Sequence, residues 1–313
     1  MPSLRPFLVL LLVSLAILLQ GCALPSLHAG RFAFQDGQRA IYFEVDKAGI
    51  ARSQVAGQID NLVFVVSGSD CISMGPFLPQ YFTGLGDESG VTKIMILHKR
   101  HILPGSNGSD CGEAFVIDDH LSRWQKDQLE FISTQLTALK KSGIQLKRIV
   151  LFGISEGAEL VPLLARQTGA THLVLLSHGG LNALDAYRSL AVQHAHMHQG
   201  WLELQTAMAK QPDDQDASRI HGRSWRYWSE IATVTQRQNL LNAGLPIFLA
   251  AGEADPVIIK AALNDLRQSF QAAGKPIRIT LYPDADHGLN SRTKNYLPDF
   301  MHQVDNWLME SMP

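Results

Sequence analysis

Residues 147–157 read Lys-Arg-Ile-Val-Leu-Phe-Gly-Ile-Ser-Glu-Gly, and this stretch decides the fold. An apolar run, typical of a strand that is buried on both faces, leads directly into the pattern Gly153-Ile154-Ser155-Glu156-Gly157. A helical pattern begins immediately afterwards, so the serine is expected in a strand-to-helix turn. Such a turn is too tight for side chains on both sides of the serine, so small residues flank it. The strain in the turn is expected to point the serine hydroxyl outward, above the amino end of the next helix.

A serine hydroxyl alone is a poor nucleophile, so a base and an orienting acid are needed from other parts of the chain. The apolar segment Leu245–Ala251 leads into Gly-Glu-Ala-Asp-Pro-Val, in which the aspartate is Asp255. The apolar segment Ile277–Tyr282 is soon followed by Asp-Ala-Asp-His-Gly, in which the histidine is His287. We expect His287 to take the Ser155 proton and later give it to the leaving group, while Asp255 fixes the histidine tautomer and stabilises the imidazolium.

Each of these partners has an alternative role. Asp255 stands before Pro-Val at the start of a helical pattern, where an aspartate is a good helix N-cap. Glu253, two residues earlier, is the second candidate for the acid. His287 could instead be an ordinary loop histidine that is held by Asp284 or Asp286.

The order of nucleophile, acid and histidine, together with the loops that carry them, resembles the α/β-hydrolase superfamily. The Ser-Glu-Gly form of the turn is similar to that of serine aminopeptidases and related acyl hydrolases. The resemblance extends from about residue 38 to the carboxyl terminus and implies an α/β-hydrolase domain over residues 38–313. The expected architecture is a mainly parallel central sheet flanked by helices, with a helical cap inserted at about residues 179–243.

The same resemblance implies an oxyanion hole made of two backbone N–H groups. One is expected from Glu156, directly after the serine. The other is expected from the loop after the strand at residues 61–66, where many relatives carry His-Gly and this chain has Ser67-Gly68. Ser69 is the predicted second donor, because Gly68 lets the backbone approach closely.

The alternation of strand and helix patterns supports a mainly parallel sheet. Several predicted strands are continuous Val, Ile and Leu runs, as expected for strands that are buried on both faces. The strands are predicted at residues 40–45, 61–67, 93–98, 148–153, 172–177, 246–251 and 277–282, and the helices at residues 122–141, 156–167, 257–273 and 297–310.

The predicted cap, residues 179–243, interrupts this alternation and is more polar and helical. It carries Trp201, Trp225, Tyr227 and Trp228. A cap at this place would lie over the serine and shape the substrate pocket, where aromatic side chains suit an apolar or ring-bearing substrate. Alternatively, these aromatic residues serve only to pack the cap helices against the core.

The amino-terminal segment predicts export. Residues 1–21 contain one basic residue, Arg5, and then an apolar run that is too short for a membrane span and is typical of a signal peptide. The ending Leu-Gln-Gly-Cys resembles a bacterial lipobox, in which Cys22 is lipidated and becomes amino-terminal. Several acyl chains on one residue give stable membrane anchoring. Ordinary cleavage near Ala23 and a retained signal anchor are the alternatives.

The lipobox interpretation also predicts where the protein lies in the cell. Residues 22–37 would be a membrane tether, and the protein is expected in the envelope of a bacterium. Ala23, in second place, lacks the aspartate that commonly retains lipoproteins at the inner membrane. We therefore expect a lipid anchor in the outer membrane, with the enzyme facing the periplasm.

Removing Cys22 as the lipid site leaves two cysteines, Cys71 and Cys111. An exported enzyme is expected to pair them in a disulfide. The bridge would connect the predicted oxyanion loop to the loop at residues 104–114. Two free buried thiols are the alternative.

Charge and histidine spacing argue against other classes of partner. The chain has 27 Lys and Arg residues against 29 Asp and Glu residues, a formal net charge of −2, and no basic patch, so no nucleic-acid partner is expected. His194, His196 and His198 are spaced two residues apart and do not share one face of a helix, so no metal site is expected. No cofactor is expected either.

Three functions fit the sequence. The first is a membrane-anchored serine hydrolase that cleaves carboxylic ester or related acyl bonds of a small molecule through an acyl-enzyme. The second is a serine peptidase or amidase on the same residues, acting on peptides. In that function Glu156 either meets a substrate amine or forms a salt bridge elsewhere in the protein. The third is a non-catalytic envelope binding protein that keeps only the fold.

Overall fold

The computed structural model describes residues 26–51, 56–109 and 111–310. The predicted signal peptide, residues 1–21, and the predicted lipidation site, Cys22, lie outside these residues. Within the described ranges no helix is long and apolar enough to cross a membrane.

Strands and helices alternate along most of the chain. The strands are β1 (Ser26–Ala33), β2 (Arg39–Ala48), β3 (Gln58–Val66), β4 (Val91–Leu97), β5 (Gln145–Ile154), β6 (His172–Leu176), β7 (Arg219–Ile220), β8 (Arg223–Ser224), β9 (Ile247–Gly252) and β10 (Ile277–Tyr282). The α-helices are α1 (Leu78–Tyr81), α2 (Glu113–Asp118), α3 (Leu121–Lys141), α4 (Gly157–Thr168), α5 (Ala183–Gln193), α6 (Ala195–Lys210), α7 (Trp225–Ile231), α8 (Gln236–Ala243), α9 (Lys260–Ala272) and α10 (Leu297–Glu310).

The main sheet has 8 strands in the order β1-β2-β4-β3-β5-β6-β9-β10. The pairs β1/β2 and β2/β4 are antiparallel, and the remaining neighbours are parallel. This arrangement, flanked by helices, confirms the predicted α/β class. Because the parallel strands run in one direction, their carboxyl ends meet at one edge of the sheet, and the loops there carry the predicted site residues.

The sheet is buried on both faces, which makes its edge a firm base for those loops. Along β3, Leu62, Phe64 and Val66 belong to the core on one face, whereas Val63 and Val65 belong to the core on the other. Side chains of α3, α4 and α9 complete the first core, and those of α1 and α10 complete the second. Burying one such side chain contributes about 1.5–3 kcal/mol.

The predicted strands correspond to β2–β6, β9 and β10, and the predicted helices to α3, α4, α9 and α10. Ser26–Ala33, which falls inside the predicted tether at residues 22–37, pairs with β2 as an edge strand of the main sheet. The sequence does not reveal β1, because most of its side chains are exposed and lack apolar alternation.

The segment at residues 179–243 contains α5, α6, the hairpin β7–β8, α7 and α8. Helix α5 packs against α6, α7 packs against α3, and α8 packs against α4. The segment therefore contacts two helices, α3 and α4, that pack on the same face of the main sheet. The limits of the domain, residues 38–313, and of the cap stay a prediction.

The expected disulfide joins Cys71 to Cys111, with the two Cα atoms 5.5 Å apart. Ile102 and Phe115 pack around it in a small apolar cluster. The bridge ties the loop that follows β3 to the segment that precedes α2. A sequence separation of 40 residues gives a disulfide stabilisation of about 3–4 kcal/mol.

Candidate active site

Ser155 lies between the last residue of β5 and the first residue of α4, with a φ of 53°. A residue other than glycine in this left-handed region costs about 1–3 kcal/mol, so the surrounding contacts must hold it there. The Ser155 amide donates to the carbonyl of Leu176 at 2.8 Å, and the Ser155 carbonyl accepts from the amide of Ala158 at 3.0 Å. The serine is thus held by strand β6 on one side and by helix α4 on the other.

The two flanking glycines allow the backbone to approach this closely. A Cβ atom on Gly157 would collide with the carbonyl oxygens of Val66 and Ser67 at the end of β3. A Cβ atom on Gly153 would collide with the backbone of Ala158. Both glycines of the G-x-S-x-G pattern are therefore required by close backbone contacts: Gly157 by its contact with the end of β3, and Gly153 by its contact with the start of α4. The turn at the serine is a further requirement.

The structure brings the predicted base to the serine and the predicted acid to the base. His287 Nε2 lies 2.9 Å from Ser155 Oγ, and His287 Nδ1 lies 2.7 Å from Asp255 Oδ2. Since an ionised carboxylate only accepts, Nδ1 carries the proton and Nε2 is free to accept from the serine hydroxyl. The Asp255 side chain is 0% exposed, whereas that of His287 is 39% exposed.

Asp255 uses both of its carboxylate oxygens. Oδ1 accepts from the amide of Val257 at 2.9 Å, which leaves Oδ2 directed at His287. The following helix begins only at Lys260, so Asp255 is not its N-cap. The other candidate acid, Glu253, is exposed, and its carboxylate makes no hydrogen bond in the part of the chain that the structure describes.

The histidine loop is held by groups other than the imidazole. Asp286 Oδ1 accepts from the amides of Gly288 and Asn290, each at 2.8 Å, so Asp286 stabilises its own turn and does not hold the ring of His287. Ser177 Oγ donates to the carbonyl of His287 at 2.6 Å. Sequence reasoning missed Ser177, although its place directly after β6 marks it as a residue of the functional edge.

The predicted oxyanion donors lie beside the serine. Ser69 and Glu156 line the same cavity as Ser155. A Cβ atom on Gly68 would lie 3.2 Å from Ser155 Cβ, so the loop after β3 approaches the serine through its backbone. Within the described ranges neither the Ser69 amide nor the Glu156 amide donates to another group, which leaves both available to a ligand oxygen.

Residues 110–307, more than half of the chain, match the sequence profile of the dienelactone hydrolase family. The chain belongs to the dienelactone hydrolase family. Membership identifies the protein as a hydrolase and confirms its resemblance to the α/β-hydrolases. No curated protein matches the chain in sequence.

Solved structures of the same fold include esterases and a peptidase. The esterase domain of a Rhodothermus marinus protein is 12% identical, with a TM-score of 0.56 over 91% of this chain and 98% of that one. The fungal esterases of Rhizomucor miehei are similar at 13% identity, with a TM-score of 0.57 over 93% of this chain and 84% of theirs. The acylaminoacyl peptidase of Pyrococcus horikoshii is 14% identical, with a TM-score of 0.56 over 94% of this chain, which spans 42% of the peptidase.

In this dienelactone hydrolase family member, a cavity of about 640 Å³ opens above Ser155. Much of its wall is apolar, and the cap contributes Leu190, Met197, Tyr187 and Trp228. Trp228 Nε1 donates to the carbonyl of Ile220 at 2.9 Å, so the indole is also fixed within the cap. Of the four aromatic residues singled out in the cap sequence, Tyr227 and Trp228 line the cavity. Trp201 and Trp225 are not among its lining residues.

The side chain of Glu156 connects the nucleophile turn to the cap. Its Oε2 lies 3.2 Å from Lys99 Nζ, and its Oε1 accepts from the hydroxyl of Tyr227 at 2.5 Å. Lys99 Nζ also lies 2.7 Å from Asp119 Oδ1, and Asp119 in turn pairs with Arg223 of the cap hairpin. The side chains of Lys99, Asp119 and Glu156 are 4%, 2% and 9% exposed, so these ion pairs are shielded from water.

Opposing effects act on the Glu156 carboxyl. Burial alone would raise the pKa of Glu156, but the charges of Lys99 and Arg223 and the Tyr227 hydrogen bond outweigh burial and lower it. Burial and the neighbouring Glu156 charge raise the pKa of Tyr227 well above its usual value. Glu156 is therefore held as a carboxylate and Tyr227 as a neutral phenol that donates to it.

No cluster of three or more His, Cys, Asp or Glu residues that could hold a metal ion occurs among the residues described. His194 and His196 stand next to each other in space, with ring centroids 5.7 Å apart. His194 is the residue before α6, and His196 lies in its first turn.

Removing the Lys99 charge tests the network. We expect Lys99→Met to lower the free energy of unfolding by about 3–5 kcal/mol, because it leaves the carboxylates of Asp119 and Glu156 buried with one cation fewer. Urea denaturation measures the change. The matched control is Lys126→Met, an exposed lysine on α3, for which a change within about 0.5 kcal/mol is expected. Equal stability of the two variants would contradict the structural role of the network.

Proposed function

We propose that the protein is a serine hydrolase that cleaves carboxylic esters through Ser155, His287 and Asp255 and an acyl-enzyme intermediate. The observation that carries the proposal is the hydrogen-bonded chain from Ser155 Oγ through His287 to a carboxylate that is fully buried. This chain ends at a serine that opens into a largely apolar cavity, as an ester substrate requires.

In the acylation step, the ester carbonyl carbon lies next to Ser155 Oγ and its oxygen lies between the amides of Glu156 and Ser69. Oγ attacks the carbon as His287 Nε2 accepts the hydroxyl proton, and the buried Asp255 carboxylate stabilises the imidazolium. The two amides donate to the negative charge that develops on the carbonyl oxygen. The tetrahedral intermediate then expels the alcohol, to which His287 donates the proton.

In the deacylation step, a water molecule takes the place of the departed alcohol. His287 Nε2 removes a proton from the water, whose oxygen attacks the acyl carbon. Collapse of the second tetrahedral intermediate returns the proton to Ser155 Oγ and releases the carboxylic acid. The exposed fraction of the His287 side chain, 39%, is consistent with access for this water.

The peptidase alternative uses the same triad, but its distinguishing residue is engaged elsewhere. The carboxylate of Glu156, one of whose two predicted roles is to meet a substrate amine, is bound by Lys99 and Tyr227. Ester cleavage is therefore the favoured proposal. Comparing aminoacyl arylamides with short-chain esters separates the two, and faster cleavage of the arylamides would reverse the preference.

The proposed triad makes a specific kinetic prediction. Asp255→Asn should lower kcat for short-chain para-nitrophenyl esters by about 10⁴-fold, because the amide favours the wrong tautomer of His287. Ser155→Ala should remove the reaction, with circular dichroism verifying the fold of both variants. Glu253→Gln is the matched control, since it removes an exposed carboxylate two residues away and should change kcat by less than about twofold. Loss of activity in the control but not in Asp255→Asn would identify Glu253 as the acid.

We also propose that the enzyme is lipid-anchored at Cys22 in the outer membrane and faces the periplasm. The support is the sequence of residues 1–23 alone. Cys22→Ser should abolish incorporation of a palmitate analogue and move the protein from the membrane fraction into the soluble fraction. Unchanged membrane retention without lipid incorporation would favour a retained signal anchor instead.

A further inference from the structure

Two polar side chains in the cavity wall take no part in the proposed triad. Glu159, on the first turn of α4, is 9% exposed, and His178, two residues after β6, is 7% exposed. Both line the cavity above Ser155. One helical turn corresponds to about 5 Å, so Glu159 lies within reach of the substituents of a substrate bound at the serine.

The pair presents one acceptor and one donor that do not satisfy each other. Gly180 donates its amide hydrogen to His178 Nδ1 at 3.0 Å, so the hydrogen of the neutral ring is on Nε2. His178 Nε2 lies 3.9 Å from Glu159 Oε1, which is too far for a hydrogen bond. The other carboxylate oxygen, Oε2, is buried and has no hydrogen-bond partner among the described residues.

The other charged groups of the cavity wall are already paired. Glu156 is bound by Lys99 and Tyr227, and Arg223 is bound by Asp119. Burial raises the pKa of Glu159. The basic side chain that faces its carboxyl group is that of His178, whose Nε2 lies 3.9 Å from Oε1. A buried carboxyl without a donor is unfavourable, so a ligand that supplies one is favoured at this place.

We propose that Glu159 and His178 form a subsite that recognises a hydroxyl group of the substrate. A hydroxyl oxygen that enters between the two side chains accepts from His178 Nε2 and donates to the Glu159 carboxylate, whose oxygens have no donor within hydrogen-bond distance among the described residues. The preferred substrates are then esters that carry a hydroxyl a few bonds from the scissile carbonyl, on the acyl chain or on the alcohol. This inference rests on the proposed esterase function.

The hydroxyl is the group that complements both partners. An ammonium has only donors and would direct one of them at the N–H of His178. A carboxylate would lie against the carboxylate of Glu159. A methyl group of equal size would leave both side chains buried and unpaired, which is how a hydrogen-bonding site rejects an apolar analogue.

Matched ester pairs that exchange hydroxyl for methyl test the proposal. The first pair, para-nitrophenyl β-hydroxybutyrate and para-nitrophenyl isovalerate, places the hydroxyl on the acyl chain. The second pair, hydroxyethyl butyrate and propyl butyrate, places it on the alcohol. The wild-type protein should prefer the hydroxylated ester in one of the two pairs by at least about tenfold in kcat/KM. The pair that shows this preference identifies whether the subsite binds the acyl chain or the alcohol.

Variants of Glu159 test whether the preference for the hydroxylated ester comes from the proposed subsite. Glu159→Leu should bring the kcat/KM ratio of the responding pair close to one, because the leucine cannot accept from the hydroxyl. Glu159→Gln keeps an acceptor oxygen and should retain part of the ratio, which also provides a reading if the leucine variant does not fold. Glu253→Gln should keep the full ratio.

Three results would overturn the subsite. They are equal kcat/KM for both members of both pairs, an unchanged ratio in both Glu159 variants, or faster cleavage of para-nitrophenyl β-aminobutyrate than of the hydroxylated ester, which would indicate a cation site. Failure of the esterase proposal is separate: it would appear as hydrolysis of all these esters that persists in Ser155→Ala.

Discussion

The close approach of the end of β3 to the start of α4 is the contact on which the rest of the site depends. Gly157 lies against the carbonyl oxygens of Val66 and Ser67. The Cβ atom of any larger residue at this position would collide with both oxygens. Beside this contact, the hydrogen bonds from Ser155 to Leu176 and from Ala158 to Ser155 hold the serine at a φ of 53° against its conformational preference. The same contact places the loop after β3 beside the serine, so one packing constraint sets both the nucleophile and the predicted oxyanion hole.

A second set of contacts joins the cap to this turn. Glu156 follows the nucleophile, and its carboxylate is shared between Lys99 of the core and Tyr227 of the cap, while Arg223 reaches Asp119. Because these charges are buried, a change in the position of the cap would separate groups that cannot be left unpaired. The arrangement of the cap over the cavity is therefore coupled to the geometry of the nucleophile turn.

The sequence alone predicts the parts of the protein that depend on local patterns. The buried strands, the main helices and the order of Ser155, Asp255 and His287 can be read from apolar runs and the loops that end them. The exposed edge strand β1 has no such pattern. Lys99, Asp119 and Arg223 come from distant parts of the chain, and only the fold determines that these charges are paired. For that reason the sequence leaves open whether Glu156 meets a substrate amine or forms a salt bridge, and in the structure its carboxylate is bound by Lys99 and Tyr227.

The measurement that tests the central claim most directly is the intact mass of the purified protein after reaction with a fluorophosphonate probe, with peptide mapping of the adduct. Such probes label a serine whose hydroxyl is activated by a neighbouring base. The account predicts one adduct, on Ser155, and a large loss of labelling rate in His287→Ala. A folded protein without an adduct, or with the adduct on another residue, would contradict the assignment of Ser155 as the nucleophile.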